Sequence, residues 1–147
     1  RWLSTKTGVR WQDNRQQLKS GIREQVFIPG WRGLLSLDLT PIEGKLEWNI
    51  TSHLVGPMRF PDKNDFPHLL IHEHTGHSRP YVTVQSQVVY RTGRWELYAG
   101  CENIGNYTQH SAIIDPGNPE SPYFSANELY APINGIKPYL GFKFRMN

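Results

Sequence analysis

The sequence predicts an all-β protein whose strands form an antiparallel up-and-down meander. Six segments alternate apolar and polar residues with a period of two, the pattern of strands that have one apolar and one polar face. The connections between these segments are short and long in strict alternation. No segment combines helical periodicity with capping residues, so we predict no helix.

The first part of the chain holds three of the predicted strands. The first covers residues 3–12, and the second covers residues 33–40, where three leucines alternate with Ser, Asp and Thr. The third covers residues 45–54 and alternates most regularly, with Trp48 and Ile50 on its apolar side. Such patterns are typical of strands that separate an apolar phase from a polar one.

The second part of the chain holds the other three strands, predicted at residues 81–91, 95–103 and 136–146. The sixth strand is the most polarised, because its polar set carries two lysines and an arginine. Its apolar set consists of Ile136, Leu140, Phe142, Phe144 and Met146. A strand with one wholly apolar and one cationic face is typical of the closing strand of an outer-membrane barrel.

The alternating lengths of the connections also favour a membrane barrel. Residues 41–44 and 92–94 are predicted tight hairpin turns with glycine where a positive φ is needed. Residues 13–32, 55–80 and 104–135 are predicted long loops. Compact soluble domains seldom contain three structureless loops of this length. Outer-membrane barrels combine short periplasmic turns with long extracellular loops as a rule.

Composition is compatible with this interpretation and excludes a helical membrane protein. Apolar residues make up 37% of the chain, aromatic residues 12%, and the mean hydropathy is −0.57. No run of about 18 apolar residues occurs, so no helical span is expected. A barrel dilutes hydropathy with lumen-facing residues, and its aromatic side chains form girdles at the membrane interfaces.

Six strands are too few to close a membrane barrel, which needs about eight. The chain begins Arg-Trp, without an initiator Met or a signal peptide. We therefore expect residues 1–147 to be the C-terminal portion of a larger barrel.

Several motifs resemble those of a known family. The stretch from Trp95 onward is the most specific part, and the motifs read RGLL at 32–35, ELYAG at 96–100, ENIGNY at 102–107, IDP at 114–116, SPYFSA at 121–126, YAPING at 130–135 and YLGFKF at 139–144. The chain is similar to the C-terminal β-barrel segment of a TonB-dependent outer-membrane receptor of the Bacteroidetes type.

The resemblance implies a barrel of about 22 strands around a plug domain. It implies TonB-coupled uptake of a scarce small-molecule ligand, such as an iron chelate, haem or cobalamin, across the bacterial outer membrane. The expected partners are outer-membrane lipid and lipopolysaccharide, the remaining strands, the plug and, through the plug, TonB. Neither the plug nor the TonB-contacting segment lies in this chain. No catalytic residue and no cofactor follow from the resemblance.

One predicted loop concentrates histidines. His68, His72, His74 and His77 lie within ten residues, beside Glu73. We take His72, His74 and His77 as candidate ligands, because neutral imidazoles bind Zn²⁺, Cu²⁺ or a haem iron. The spacing is not that of a metalloprotease motif. The alternative is a solvated surface loop without a ligand.

Two other functions remain open at the sequence level. One is an outer-membrane enzyme with a site carried by its loops, and the other is a secreted β-sandwich that binds ligands through exposed tryptophans. A nucleic-acid partner is disfavoured, because the net charge is only +3 and the basic residues are scattered.

Overall fold

A computed structural model describes residues 2–18, 21–61, 76–110, 117–121, 124, 126 and 129–146. Every regular element among these residues is a β-strand, and all strand pairs are antiparallel. In this described part of the chain, no helix is long and apolar enough to cross a membrane. The all-β antiparallel prediction is therefore confirmed.

Eight strands form a large and a small sheet. The large sheet has six strands in the order β1-β4-β5-β6-β7-β8, and the small one is the hairpin β2-β3. The strands are β1 (Leu3–Trp11), β2 (Arg15–Leu18), β3 (Gly21–Glu24), β4 (Trp31–Ile42), β5 (Leu46–Val55), β6 (Tyr81–Thr92), β7 (Trp95–Glu102) and β8 (Lys137–Phe144). The predicted pairing in chain order is thus confirmed, with one hairpin inserted between β1 and β4.

The register keeps apolar residues together across all six strands of the large sheet. Opposed residues share a face in antiparallel pairs, so each row of the pairing scheme belongs to one side. One such row contains Leu39, Trp48, Val88, Ala99 and Leu140. We call this side the apolar face and the opposite side the polar face. A shift of one residue in any strand would move its whole apolar set to the polar face.

The first tight turn is shorter than predicted. We expected residues 41–44 to form it, but β4 continues through Pro41 to Ile42, which pairs with Leu46. The register shifts between Leu39 and Ile42. This irregularity accommodates Pro41, which has no N–H to donate to the ladder. The second turn consists of Gly93 and Arg94, with Thr92 already paired to Trp95.

Three other predictions need correction. The loop predicted at residues 13–32 contains the hairpin β2-β3, whose strands of four residues are too short to show a periodic pattern. Strand β7 ends at Glu102, because Asn103 adopts a φ of 51°, outside the extended region. Strand β8 ends at Phe144, so Ile136 and Met146 lie outside it.

Within the described residues, no protein layer covers the apolar face of the large sheet. Val9, Trp11 and Leu140 there expose 80%, 78% and 86% of their surface. The buried apolar side chains among those described are Pro29, Met58, Phe60 and Pro61, which all lie in the long connections. The apolar interior that these residues form therefore lies in the connections and not in the sheet.

Candidate functional site

The long connections fold together beyond one end of the large sheet. We call residues 25–30, 56–60, 76–80, 103–109 and 129–136 the loop cluster. Its apolar centre is Phe60, whose ring lies 6.2 Å from Phe27 and 5.1 Å from Tyr130, in both cases edge to face. Such aromatic contacts add stability beyond the area that they bury. The cluster is thus a packed unit built from connections far apart in the chain.

Two backbone bridges organise the first two connections of the loop cluster. Pro29 pairs with Met58 and joins the first connection to the second, while Arg59 pairs with His77 within the second. The Met58 N–H donates to the hydroxyl of Ser78 over 3.0 Å, and the Ser78 N–H donates to the Met58 carbonyl over 2.8 Å. Both residues are buried, so their backbone groups need such partners.

Gln109 holds the third connection in place. Its side-chain oxygen accepts from the N–H groups of Tyr130 and Ala131 at 2.9 and 3.1 Å. Its own N–H donates to the carbonyl of Pro132 at 2.7 Å. Gln109 exposes only 8% of its surface, so these bonds form away from water. Residues 130–132 are therefore fixed by a single buried side chain and its backbone.

Asn103 and Asn106 extend this attachment toward β8. The Asn103 amide donates to the carbonyls of Tyr107 and Asn134 at 2.8 and 3.0 Å. The Asn106 side-chain oxygen accepts from the N–H of Ile136 at 3.2 Å. Both asparagines have a φ of 51°, a left-handed conformation that Asn tolerates better than most residues.

The ring of Tyr81 connects the loop cluster to β6. It stacks on Tyr107 with centroids 4.7 Å apart, and its hydroxyl donates to the carbonyl of Tyr130 at 3.0 Å. Burial raises the pKa of Tyr130 above its ordinary value, and the nearby Tyr107 adds to the increase. The neutral phenol is therefore the form that the folded cluster favours.

A cavity of about 400 Å³ lies between the loop cluster and the polar face of the sheet. Its floor consists of side chains from four adjacent strands: His53, Thr83, Gln85, Glu102 and Lys137. Its roof is the fixed segment 129–135, which contributes the exposed apolar side chains of Leu129 and Ile133. This volume is within the range of small-molecule sites. The cavity is the candidate functional site.

Charges on the polar face are paired at the end of the sheet that carries the tight turns. Arg91 contacts Glu47 at 2.7 Å and Glu96 at 2.9 Å. Glu96 also contacts Lys143, its cross-strand neighbour, at 3.0 Å. The four charges form a ladder across β5 to β8 and neutralise one another.

A second Glu and Lys pair lies at the cavity, but its two side chains are not joined by an ion pair. Glu102 and Lys137 oppose each other on β7 and β8, as Glu96 and Lys143 do. Across the described part of the chain, however, neither side chain forms an ion pair or a hydrogen bond. Both line the cavity. The sheet therefore presents one unpaired anion and one unpaired cation beneath an apolar roof.

The structure describes only one of the three candidate histidines, so it does not test the predicted metal site. His72 and His74, as well as His68, lie outside the described residues. His77 lies at the loop cluster, where its Nε2 is 3.3 Å from a carboxylate oxygen of Glu24. Among the residues that the structure describes, no three His, Cys, Asp or Glu side chains form a group that could hold a metal ion. The metal site at His72, His74 and His77 thus stays a prediction.

Reasoning from the sequence missed the cavity and the residues that build it. Glu102 appeared there only as the first residue of the motif at 102–107, and Gln109 had no role. The sequence does signal another feature of the polar face, because Gly100 and Gly141 lie within strands, where glycine often marks a close approach of another group. In the structure each lies beneath the ring of the tyrosine opposite it, Tyr139 or Tyr98.

Comparisons with models of protein families, with curated proteins and with solved structures find no match to this chain.

Proposed function

We propose that this chain forms a sector of a bacterial outer-membrane β-barrel that takes up a small-molecule ligand in a TonB-coupled manner. The observation that carries the proposal is the register of the large sheet, which places an uncovered apolar face opposite a polar face. In water such a face is strongly unfavourable, whereas in a bilayer it contacts hydrocarbon. The role is transport, without a catalytic step.

Strand length supports this proposal. β5 has ten residues, and β4 and β6 have twelve each. Ten residues at about 3.3 Å each extend for about 33 Å, and a tilt of about 40° reduces the height to about 25 Å. This equals the height of the apolar band of outer-membrane barrels.

Aromatic residues on the apolar face lie near both ends of the strands. Trp11 and Trp31 oppose each other at the end next to the loop cluster. Trp95 packs against Phe144 and Phe142 at the tight turns, with ring centroids 4.7 and 5.7 Å apart. This distribution fits the two interfacial girdles of a membrane barrel.

The proposal orients the sheet and gives it partners. The tight turns face the periplasm, and the loop cluster faces the exterior. Outer-membrane lipid and lipopolysaccharide cover the apolar face, while the plug lies against the polar face. Further strands pair with β1 and β8, whose outer edges have no strand partner within the described residues. The cargo class that follows from the resemblance is an iron chelate, haem or cobalamin.

A spin-label experiment tests the proposal, with Cys101 as the natural attachment point on the apolar face. Cys101 opposes Ser86 and Pro138 near the middle of the sheet. In lipid vesicles, a nitroxide at Cys101 is expected to collide with dissolved oxygen much more often than with a water-soluble nickel chelate. The matched control is Gln85→Cys in a Cys101→Ser background, which puts the label on the polar face. Equal nickel accessibility at both positions would contradict the proposal.

A further inference from the structure

We infer that the cavity between the loop cluster and the polar face binds a small zwitterionic molecule with an apolar body, the chemistry of a short apolar peptide with free ends. This inference deepens the proposed function by naming a ligand class for the barrel, and it rests on that function only for the transport step. The binding chemistry depends on the cavity alone.

The floor of the cavity carries two opposite charges that do not pair with each other. Glu96 and Lys143 show that a Glu and a Lys opposed on β7 and β8 reach contact, at 3.0 Å. Glu102 and Lys137 have the same relation on the same two strands and form no ion pair with each other. Their charged ends are therefore available to a third group. A ligand with one ammonium and one carboxylate would pair with both and leave no charge unmatched.

The roof provides the apolar part of the recognition. Leu129 and Ile133 expose 53% and 55% of their surface, although they belong to a segment that is otherwise well attached. Both line the cavity above the polar floor. An apolar ligand body placed there would remove this surface from water, at about 25 cal/mol per Å². The polar floor and the apolar roof together therefore favour an amphipathic ligand over a purely ionic one.

The roof is also held in place before any ligand arrives. Gln109, Asn103, Asn106 and Tyr81 fix residues 130–136 through hydrogen bonds to six backbone groups of this segment. A preformed wall lowers the ordering cost of binding. Gln109 is therefore a positioning residue for the site, since it acts on the ligand only through the roof.

The remaining floor residues fit a peptide. Thr83 and Gln85 offer hydroxyl and amide groups, and His53 offers a ring nitrogen. An amide bond between the two charged ends of the ligand has one donor and one acceptor for such groups. The site therefore favours a peptide over an amphipathic zwitterion without an internal amide.

The test measures binding of three probes to the full chain by calorimetry. The probes are the dipeptide Leu-Leu, its C-terminal amide, which lacks the anion, and its N-acetyl form, which lacks the cation. We expect Glu102→Gln to weaken Leu-Leu and its amide about ten-fold and to leave N-acetyl-Leu-Leu unchanged. Lys137→Gln is expected to weaken Leu-Leu and N-acetyl-Leu-Leu about ten-fold and to leave the amide unchanged.

Two kinds of control accompany these variants. Glu43→Gln and Lys45→Gln remove the same charges at the first tight turn, far from the cavity, and should change no affinity. Gln109→Ala should weaken all three probes by the same factor, because it loosens the apolar roof and touches neither charge. Far-ultraviolet circular dichroism of each variant checks that the strands are retained.

The inference is overturned if the unsubstituted chain binds none of the probes. It is also overturned if Glu102→Gln and Lys137→Gln behave like the turn controls, or if each weakens all probes equally. The spin-label experiment at Cys101 tests the proposed function independently of the binding experiment. A lipid-facing Cys101 with no selective binding refutes only the inference, whereas a water-exposed Cys101 with selective binding refutes only the membrane proposal.

Discussion

The large sheet and the loop cluster differ in how far they bury their apolar side chains. The sheet leaves Leu140 and Phe142 uncovered at 86% and 65% exposure, although its backbone is fully ordered by strand pairing. The loop cluster has no long strands, yet Met58 and Phe60 there expose only 2% and 5%. In this molecule the regular sheet is therefore the exposed region, and the irregular loop cluster is the region that buries apolar side chains.

This difference shows where the stability of each region must come from. The loop cluster buries its own apolar groups and supplies hydrogen bonds from Gln109, Asn103 and Ser78. It is therefore suited to contact with water. The sheet instead depends on a surrounding apolar phase, because hydrogen bonds alone contribute little net stability in water. The four predictions below test this contrast, from the largest expected effect to the smallest.

The largest effect is expected from a charge on the apolar face. Ile50 lies mid-strand in β5 on that face, opposite Leu37 and Ser86. Ile50→Arg should destabilise the bilayer-folded protein by about 2–4 kcal/mol, because the guanidinium would lie in hydrocarbon. The measurement is reversible denaturant unfolding in lipid vesicles.

The matched control for this substitution is Gln85→Arg on the polar face. Its side chain already lies in a polar, exposed position, so its cost should be much smaller. Equal losses at positions 50 and 85 would remove the distinction between the two faces.

The second effect concerns the tyrosine rings over glycine on the polar face. A methyl group at Gly100 would overlap the ring of Tyr139 and would lie 2.8 Å from the Ser86 carbonyl oxygen. Gly100→Ala should therefore cost about 1–3 kcal/mol of folding free energy, as overpacking usually does. The same unfolding assay in vesicles measures it.

Gly8→Ala is the internal comparison, since nothing lies within 4 Å of a methyl group placed there. It should be neutral or slightly stabilising, as expected for glycine to alanine within a strand. Tyr139→Ala should rescue part of the loss caused by Gly100→Ala. A double variant no better than the Gly100→Ala single variant would show that the ring is not the obstacle.

The third effect should stay within the loop cluster. Gln109→Ala leaves the N–H groups of Tyr130 and Ala131 without their acceptor. We expect hydrogen exchange at these two amides to accelerate about ten-fold, equivalent to about 1.4 kcal/mol, with no change in β5 or β6. Hydrogen exchange followed by mass spectrometry resolves the two regions.

The exposed Gln25→Ala provides the control for the loss of an amide side chain. Faster exchange throughout the sheet in Gln109→Ala would mean that the loop cluster and the sheet unfold as one unit. The contrast between the two regions would then fail.

The smallest effect is a titration at alkaline pH. The pKa of Tyr130 is raised by burial and by Tyr107, so the neutral phenol is the form that stabilises the fold. This contribution is fully present below the unfolded value of about 10 and is lost as pH rises through the folded pKa. The ultraviolet difference titration between the protein and Tyr130→Phe should therefore show ionisation above about 10. Ionisation at or below about 10 would contradict the partial burial of the Tyr130 ring.

Reasoning from the sequence predicted the six strands of the large sheet and the residues of each face. It could do so because the period-two pattern is local, and each strand carries it independently of its neighbours. It placed the first tight turn wrongly, since the pairing of Ile42 with Leu46 depends on a bulge next to Pro41. The hairpin β2-β3 was not predicted, because a strand of four residues is too short to show a clear period-two pattern.

The candidate site was much less predictable. Gln109 contacts residues 21 and 22 positions later, and Asn103 contacts Asn134 across 31 positions. No periodicity links such residues, and a buried glutamine looks like a surface glutamine in a sequence. The cavity exists only because these contacts fold residues 129–135 back over the sheet.

By itself, therefore, the sequence determined the strand-forming segments and the side of each strand that is apolar, because both depend on neighbours within a few residues. Only the tertiary structure decided that Glu102 faces Lys137 across β7 and β8 without touching it. The long connection between those strands leaves their register open, and the register is set by Tyr98 over Gly141 and Tyr139 over Gly100 together with the apolar rows on the other face. The register between strands depends on contacts between whole faces, which join residues far apart in the sequence. The positions of the cavity residues follow from that register.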